Sequence, residues 1–205
     1  MPTEISGSTG VDKIQDGSVT SAKIVDGAIT NADINASAAI AASKLTGIVS
    51  GLENADSWRL TTSFSSGSVI ANNLERVDTQ GSTTLPLGTG MTESSGVFTF
   101  PQTGIYFINF QITMEVTNVD DPYMSLNVST DGGSNWNQAT VTYPNGNRHS
   151  SSTKNTGSGF YLLDVTSTSD IKVQFQVYNS TSNSTVMAAT SKTWTGFSFV
   201  RLGDT

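Results

Sequence analysis

Residues Gly96–Phe110 read GVFTFPQTGIYFINF, and the pattern continues to Val116. Along an extended chain Tyr106, Ile108, Phe110, Ile112, Met114 and Val116 point one way, while Phe107, Asn109, Gln111, Thr113 and Glu115 point the other. A period of two over this length marks a strand with one buried face. Just ahead of it, Pro101 and Gly104 frame a turn out of the short run Val97–Phe100, so two strands are expected to meet at an aromatic-rich corner. A chain with this stretch at its centre is committed to a sheet that packs on something.

From Trp58 onward the whole sequence is written in the same way. The strands expected are Trp58–Phe64, Leu74–Val77, Val97–Phe100, Gly104–Val116, Met124–Ser129, Trp136–Tyr143, Gly159–Val165, Ile171–Tyr178 and Trp194–Leu202. Turn clusters such as Asp131-Gly132-Gly133 and Pro144-Asn145-Gly146 separate them. Many short strands at such spacing predict an all-β sandwich or jelly roll over residues 58–205. A head of that size buries about 68–70% of its unfolded surface and folds without disulfides, of which a cysteine-free chain has none.

Residues 1–57 obey a different rule. They contain no aromatic residue and carry a ten-residue repeat: IQDGSVTSAK, IVDGAITNAD and a degenerate INASAAIAAS. Apolar side chains recur every five positions at Ile14, Val19, Ile24, Ile29 and Ile34, a step that fits neither helix nor strand. It fits a path bent at Asp16-Gly17 and Asp26-Gly27 that turns one side chain in five toward an axis. Three such units cannot bury a core alone. Neighbouring chains or another protein must cover them, and the alternative is a disordered tail. Ala36–Leu45 is alanine-rich, ends in Lys44 and is followed by Gly47, which predicts a short helix with a glycine stop. The domains expected are therefore an extended docking arm over 1–57 and a β head over 58–205.

Composition excludes several functions. The net charge is −7, and ten dispersed Lys and Arg make no basic patch, so neither nucleic acid nor anionic lipid is an expected partner. No apolar run approaches the ~18 residues that span a bilayer, and MPTEISGSTG lacks the basic and apolar regions of a secretory signal. Ser and Thr exceed a quarter of the chain while only 13% of residues are charged, a hydroxyl-rich composition suited to extracellular or virion surfaces.

The candidate sites are few. His149 is the sole imidazole, and Ser150 and Ser151 adjoin it, but no G-x-S-x-G elbow is present and no enzyme is expected. Asp120-Asp121 and Asp131–Asn135 offer oxygen ligands without the spacing of a calcium loop, and read as turn chemistry; no metal and no cofactor are expected. Trp136, Tyr143, Asn145, Asn147, Arg148 and His149 combine aromatic faces with amide and guanidinium donors, the set that would stack on and hydrogen-bond a host surface glycan. The competing reading makes Trp136 a cross-strand packing residue after the Asp131-Gly132-Gly133 turn.

The head resembles the C1q/tumour-necrosis-factor-like family of trimeric jelly rolls. In that family's signature an aromatic is followed six residues later by Gly, then by Tyr, an apolar residue and an aromatic; here these are Phe98, Gly104, Tyr106, Ile108 and Phe110, with Ile108 where the family usually has Phe. Ser158–Asn179 looks like its paired late strands, and Thr193–Leu202, with Gly196-Phe197, like its closing strand. Some members of the family bind calcium. Strands 104–116 and 194–202 carry aromatics on both faces, Phe107 opposite Tyr106 and Trp194 opposite Phe197, where a two-layer sandwich needs one apolar face. The resemblance implies that two further copies cover the second face, so Tyr106, Phe107, Phe110, Trp194, Phe197 and Phe199 are expected in the core or the trimer interface. The phrase DGAITNADIN (Asp26–Asn35) resembles repeats of bacteriophage tail and virion fibres. Together the resemblances imply a virion protein made in the host cytoplasm: a homotrimeric fibre or appendage docked to other virion proteins through its arm and touching the host with its head. A decoration protein that clamps capsid or tail subunits is the alternative.

Overall fold

Alternation in the long central strand decides the architecture. The computed structural model describes residues 20, 22, 24–35, 38, 40, 51–65, 67–78, 86–116, 121–144, 153–180 and 183–205. The chain divides into two units, Met1–Ile48 and Val49–Thr205.

In the first unit a turn forms at Asp26-Gly27: the Ala28 N–H donates to the Val25 carbonyl at 2.9 Å, with Gly27 at φ +79°. The positive φ is one that glycine adopts without strain. A single 3₁₀ turn follows at Asn31–Asp33. Its Asp33 carboxylate accepts from the Thr30 N–H at 2.8 Å and from the Thr30 hydroxyl at 2.7 Å, which holds the Asp33 pKa below the usual carboxylate value. Of the helix expected over Ala36–Leu45 only Ala38 and Ile40 are described, neither of them helical; the Asp16-Gly17 turn, Ile14 and Val19 lie outside the described residues.

The second unit is an antiparallel sandwich of twelve strands among the described residues: β1 Ala55–Leu60, β2 Phe64–Ser65, β3 Leu74–Arg76, β4 Thr92–Ser94, β5 Val97–Thr99, β6 Gly104–Val116, β7 Tyr123–Ser129, β8 Asn137–Thr142, β9 Thr153–Val165, β10 Lys172–Tyr178, β11 Ser184–Val186 and β12 Gly196–Gly203. The first sheet runs β2-β11-β6-β12-β1-β3, with β9 on the other side of β6; the second runs β4-β5-β10-β7-β8. β6 is the spine of the first sheet. β9 pairs with all of it, while β12 takes Ile105–Gln111 and β11 takes Met114–Val116 on the opposite side.

The corner Pro101–Gly104 is not a hairpin turn. It carries the chain from β5 in the second sheet to β6 in the first, because Phe100 and Tyr106 must both face inward. Their rings meet at 4.7 Å across the core, and the Tyr106 hydroxyl donates to the Gln102 carbonyl at 3.0 Å. A true hairpin lies just upstream. β4 and β5 pair Ser94 with Val97 through a two-residue loop, Ser95-Gly96, both at positive φ. This is the mirror-image turn that matches strand twist.

The core is built of rings. Phe98 contacts Trp58, Phe175, Phe197 and Phe199 at centroid distances of 5.6, 5.9, 5.9 and 5.1 Å, and Phe175 stacks on Phe197 at 3.8 Å. Each such pair adds about 0.5–1.5 kcal/mol beyond the area it buries. At one end of the sandwich a buried carboxylate closes the structure. Asp56 accepts from Arg76 Nε at 2.9 Å, Trp58 Nε1 at 2.9 Å and the Met91 N–H at 2.8 Å, while Arg76 lies 4.8 Å over the Trp58 ring. A buried charge held by this many donors is satisfied, and it fixes how β1 meets β3. It also explains why β1 starts at Ala55, ahead of the Trp58 at which the sequence pattern begins. At the β9 edge Gly157 lets the two sheets come together, and Gly159 leaves room for the ring of Phe110, its register partner on β6. A Cβ at Gly159 would sit 2.6 Å from Phe110 Cζ, and one at Gly157 2.7 Å from Thr142 Oγ1.

Candidate interaction surfaces

Four of the six residues expected in the core or interface are inside the chain's own sandwich. Tyr106, Phe110, Phe197 and Phe199 are each at most 1% exposed. Burial raises the Tyr106 phenol pKa, partly offset by the Arg201 charge and the Gln102 hydrogen bond. Trp194 is not a strand residue, since β12 begins at Gly196. It precedes the strand, half-buried, with Lys192 Nζ 5.4 Å over its ring. Its carbonyl accepts from Gln111 Nε2 at 3.2 Å and from the Thr113 hydroxyl at 2.8 Å. The backbone bend that brings this carbonyl to β6 takes the indole out of the strand's alternation.

Phe107 is the one of the six on the outer face of the first sheet. There it stacks on Phe160, centroids 5.9 Å apart at 29°. In register Phe107 stands beside Leu162 of β9 and Val200 of β12. Phe160 is 65% exposed and Leu162 56%. Ile105 of β6 adjoins this patch, and beyond it the face is zipped by polar pairs across the strands: Thr113 to Thr156 at 2.8 Å, Ser57 to Ser198 at 3.2 Å, and Lys154 to Glu115 at 2.9 Å. A coherent apolar patch on an otherwise hydroxyl-lined sheet makes this face a candidate association surface. Phe160 and Leu162 were not singled out from the sequence. The signal was there, in the alternation Phe160-Tyr161-Leu162-Leu163, where two apolar residues must face away from the core.

Two residues of the expected glycan set, Trp136 and Tyr143, are described, and they do not come together. Asn145, Asn147, Arg148 and His149 lie outside the described residues. Trp136 and Tyr143 flank opposite ends of β8, ~20 Å apart at strand rise, and so belong to different ends of the sheet. Trp136 packs over the turn, where a Cβ at Gly133 would come within 3.5 Å of its ring. That turn is held by Asp131. Its carboxylate accepts from Asn135 Nδ2 at 2.6 Å, the Asn135 N–H at 2.9 Å and the Ser129 hydroxyl at 2.7 Å. The Asn135 side chain, then its N–H and Ser129, lower the Asp131 pKa to about 2. Its oxygens are thus engaged in the turn itself, and among the described residues no three acidic, His or Cys side chains converge. Tyr143 has different company. Its ring lies 5.0 Å from Tyr123, which stacks on Tyr178 at 4.9 Å and 10°. Tyr123 and Tyr178 close their strands at the same end of the sheet, a juxtaposition that only the β7–β10 register reveals.

In the arm, Ile24, Ile29 and Ile34, all on the five-residue stripe, are 43, 58 and 42% exposed.

No protein-family model matches the sequence, and no curated protein matches it. Solved structures are similar to its fold. The tumour necrosis factor Eiger of S. frugiperda aligns over 74% of this chain and 93% of its own with a TM-score of 0.56 and 11% identity. Murine APRIL aligns over 73% and 98% with a TM-score of 0.52 and 15% identity. The fold is the jelly-roll sandwich of the C1q/tumour-necrosis-factor class.

Proposed function

We propose that the chain is a structural protein of a bacteriophage particle: a homotrimeric appendage whose N-terminal arm docks to the virion and whose head contacts the host surface. The observation that carries this reading is the apolar patch of Phe107, Phe160 and Leu162 on the outer face of β6 and β9. Copies of the chain around a threefold axis would cover that patch and protect the β9 sheet edge beside it. The stripe of exposed Ile24, Ile29 and Ile34, within a phrase that resembles phage fibre repeats, supports docking of the arm. The head works by multivalent adhesion: three weak sites on one trimer raise avidity without any new contact.

Immunogold labelling of intact particles, together with binding of the full chain to bacterial cells, tests the proposal. Label at a tail or fibre tip with cell binding is the expected result. Uniform label over the shell without cell binding would make the chain a decoration protein, and absence from every particle would overturn the virion role.

A further inference from the structure

The outer face of the second sheet carries a second surface, remote from the apolar patch because it lies on the opposite side of the sandwich. Strands β7 and β10 pair Tyr123 with Tyr178, Ser125 with Gln176 and Asn127 with Gln174, so these residues share the face turned away from the core. Tyr143, after β8 at the sheet edge, extends the Tyr123–Tyr178 stack into a row of three phenols across three strands. Beside the row runs a hydrogen-bonded strip. The Ser125 hydroxyl donates to Asn127 Oδ1 at 2.7 Å, and Asn127 Nδ2 donates to Gln176 Oε1 at 3.2 Å. Ser125, Asn127 and Gln174 are 0, 2 and 7% exposed, so this strip braces the row and is not itself open to a ligand.

The core does not require these rings, since Met124, Leu126, Phe175 and Val177 of the same strands already fill it. What the row supplies is a rigid amphipathic surface with little rotamer entropy left to lose on binding. Tyr143 is 51% exposed, and beyond Tyr123 it meets no other ring among the described residues. An open aromatic face suits the C–H face of a pyranose, and phenol groups both donate to and accept from its hydroxyls. Charge narrows the ligand. The one ionised side chain on β7, β8 and β10 is Lys172, at the far end of β10, where it bonds Thr99 and the Thr168 carbonyl. Asp121, exposed two residues ahead of Tyr123, accepts hydroxyl hydrogens and repels anions, as does the chain's net charge of −7.

We infer that the Tyr143–Tyr123–Tyr178 row holds a neutral saccharide of a host surface polymer, an assignment that rests on the adhesion reading and gives it a ligand class and a place. The site faces away from the apolar patch, so three copies would stay open in a trimer.

The test uses the full chain, fluorescently labelled, on an array of neutral hexose, deoxyhexose and N-acetylhexosamine oligosaccharides with uronic and sialic acid counterparts. Binding to a neutral group is expected, weakened about tenfold or more by Tyr143→Ala and retained within a few-fold by Tyr143→Phe. Tyr178→Ala is a second lesion, judged only if circular dichroism shows the native melting temperature; otherwise Tyr143→Ala decides, because its half-exposed ring lies outside the core. Binding to acidic glycans alone, to none, or equally by Tyr143→Ala overturns the inference. Bacterial cells separate the two readings. A chain that adsorbs equally to cells before and after periodate oxidation adheres through something other than sugar, whereas a chain that adsorbs to no strain overturns adhesion itself.

Discussion

Single residues in this chain are held by short polar networks, and Asp131 shows what such a network does to stability. Its carboxylate pKa is lowered to about 2 by Asn135 and Ser129, against an ordinary value of 3.8. A folded pKa below the unfolded one means that the turn contributes its stability above about pH 4 and loses it as pH falls through about 2. Asp131→Asn keeps an oxygen acceptor but cannot ionise. The wild type is therefore expected to melt higher than the variant at pH 7, with the gap closing between pH 4 and pH 2 in a series of thermal melts. Other carboxylates titrate alike in both proteins and cancel. A gap independent of pH would show that the ionised form is not what holds the turn. Asp56 sits in the opposite regime, buried and bound by Arg76, Trp58 and the Met91 N–H, so it acts on how strands meet rather than on one loop.

Among the elements, β9 carries the most varied duties: it edges the first sheet, closes the sandwich against β8 and displays Phe160 and Leu162. Its packing depends on its glycines. Gly159→Ala would place a methyl group 2.6 Å from Cζ of Phe110, its fully buried register partner on β6. Overpacking of this kind costs about 1–3 kcal/mol. Urea unfolding should show that loss for Gly159→Ala, while Ser158→Ala, exposed on the other face, stays within about 0.5 kcal/mol of the wild type. Equal stabilities would mean that the Phe110 ring packs without needing the glycine. The same strand shows how far the sequence could be read. The apolar half, Gly159–Val165, announces itself by alternation, but β9 starts at Thr153, and Thr153–Ser158 is polar on both faces with no period to detect. Its strand character comes from pairing with β6, a tertiary cause. β4 and β11 were missed for the same reason: Thr-Glu-Ser and Ser-Thr-Val are three residues long and owe their form to their neighbours. The candidate sites follow suit. Tyr143 was visible as an exposed aromatic, yet its partners Tyr123 and Tyr178 are far away in sequence and meet it only through sheet register. Trp136 looked like its companion because adjacency along a strand resembles proximity, whereas an extended strand separates its ends.

At the scale of the whole molecule, the question is what covers the outer face of the first sheet. Among the described residues twenty-three apolar side chains lie buried in the core, so Phe160 and Leu162 are not exposed for want of a core to join. Both stand on the solvent side of β9 beside Phe107, and both would come off water if copies of the chain met there. Full burial of each side chain is worth about 1.5–3 kcal/mol per chain, and three chains meeting on one axis multiply the term. Light scattering of the full chain at micromolar concentration is expected to give three times its 21.6 kDa mass. Phe160→Asp with Leu162→Asp would set like charges against one another around that axis, where desolvation makes repulsion severe, and should yield the single-chain mass. Since neither residue supports the core, the doubly substituted head should keep its far-ultraviolet spectrum, which separates loss of assembly from loss of fold. Tyr143→Asp, placed on the opposite sheet, should leave the trimer intact. A wild-type mass of one chain, or a trimer that survives the double substitution, would mean that something other than a second copy covers this face.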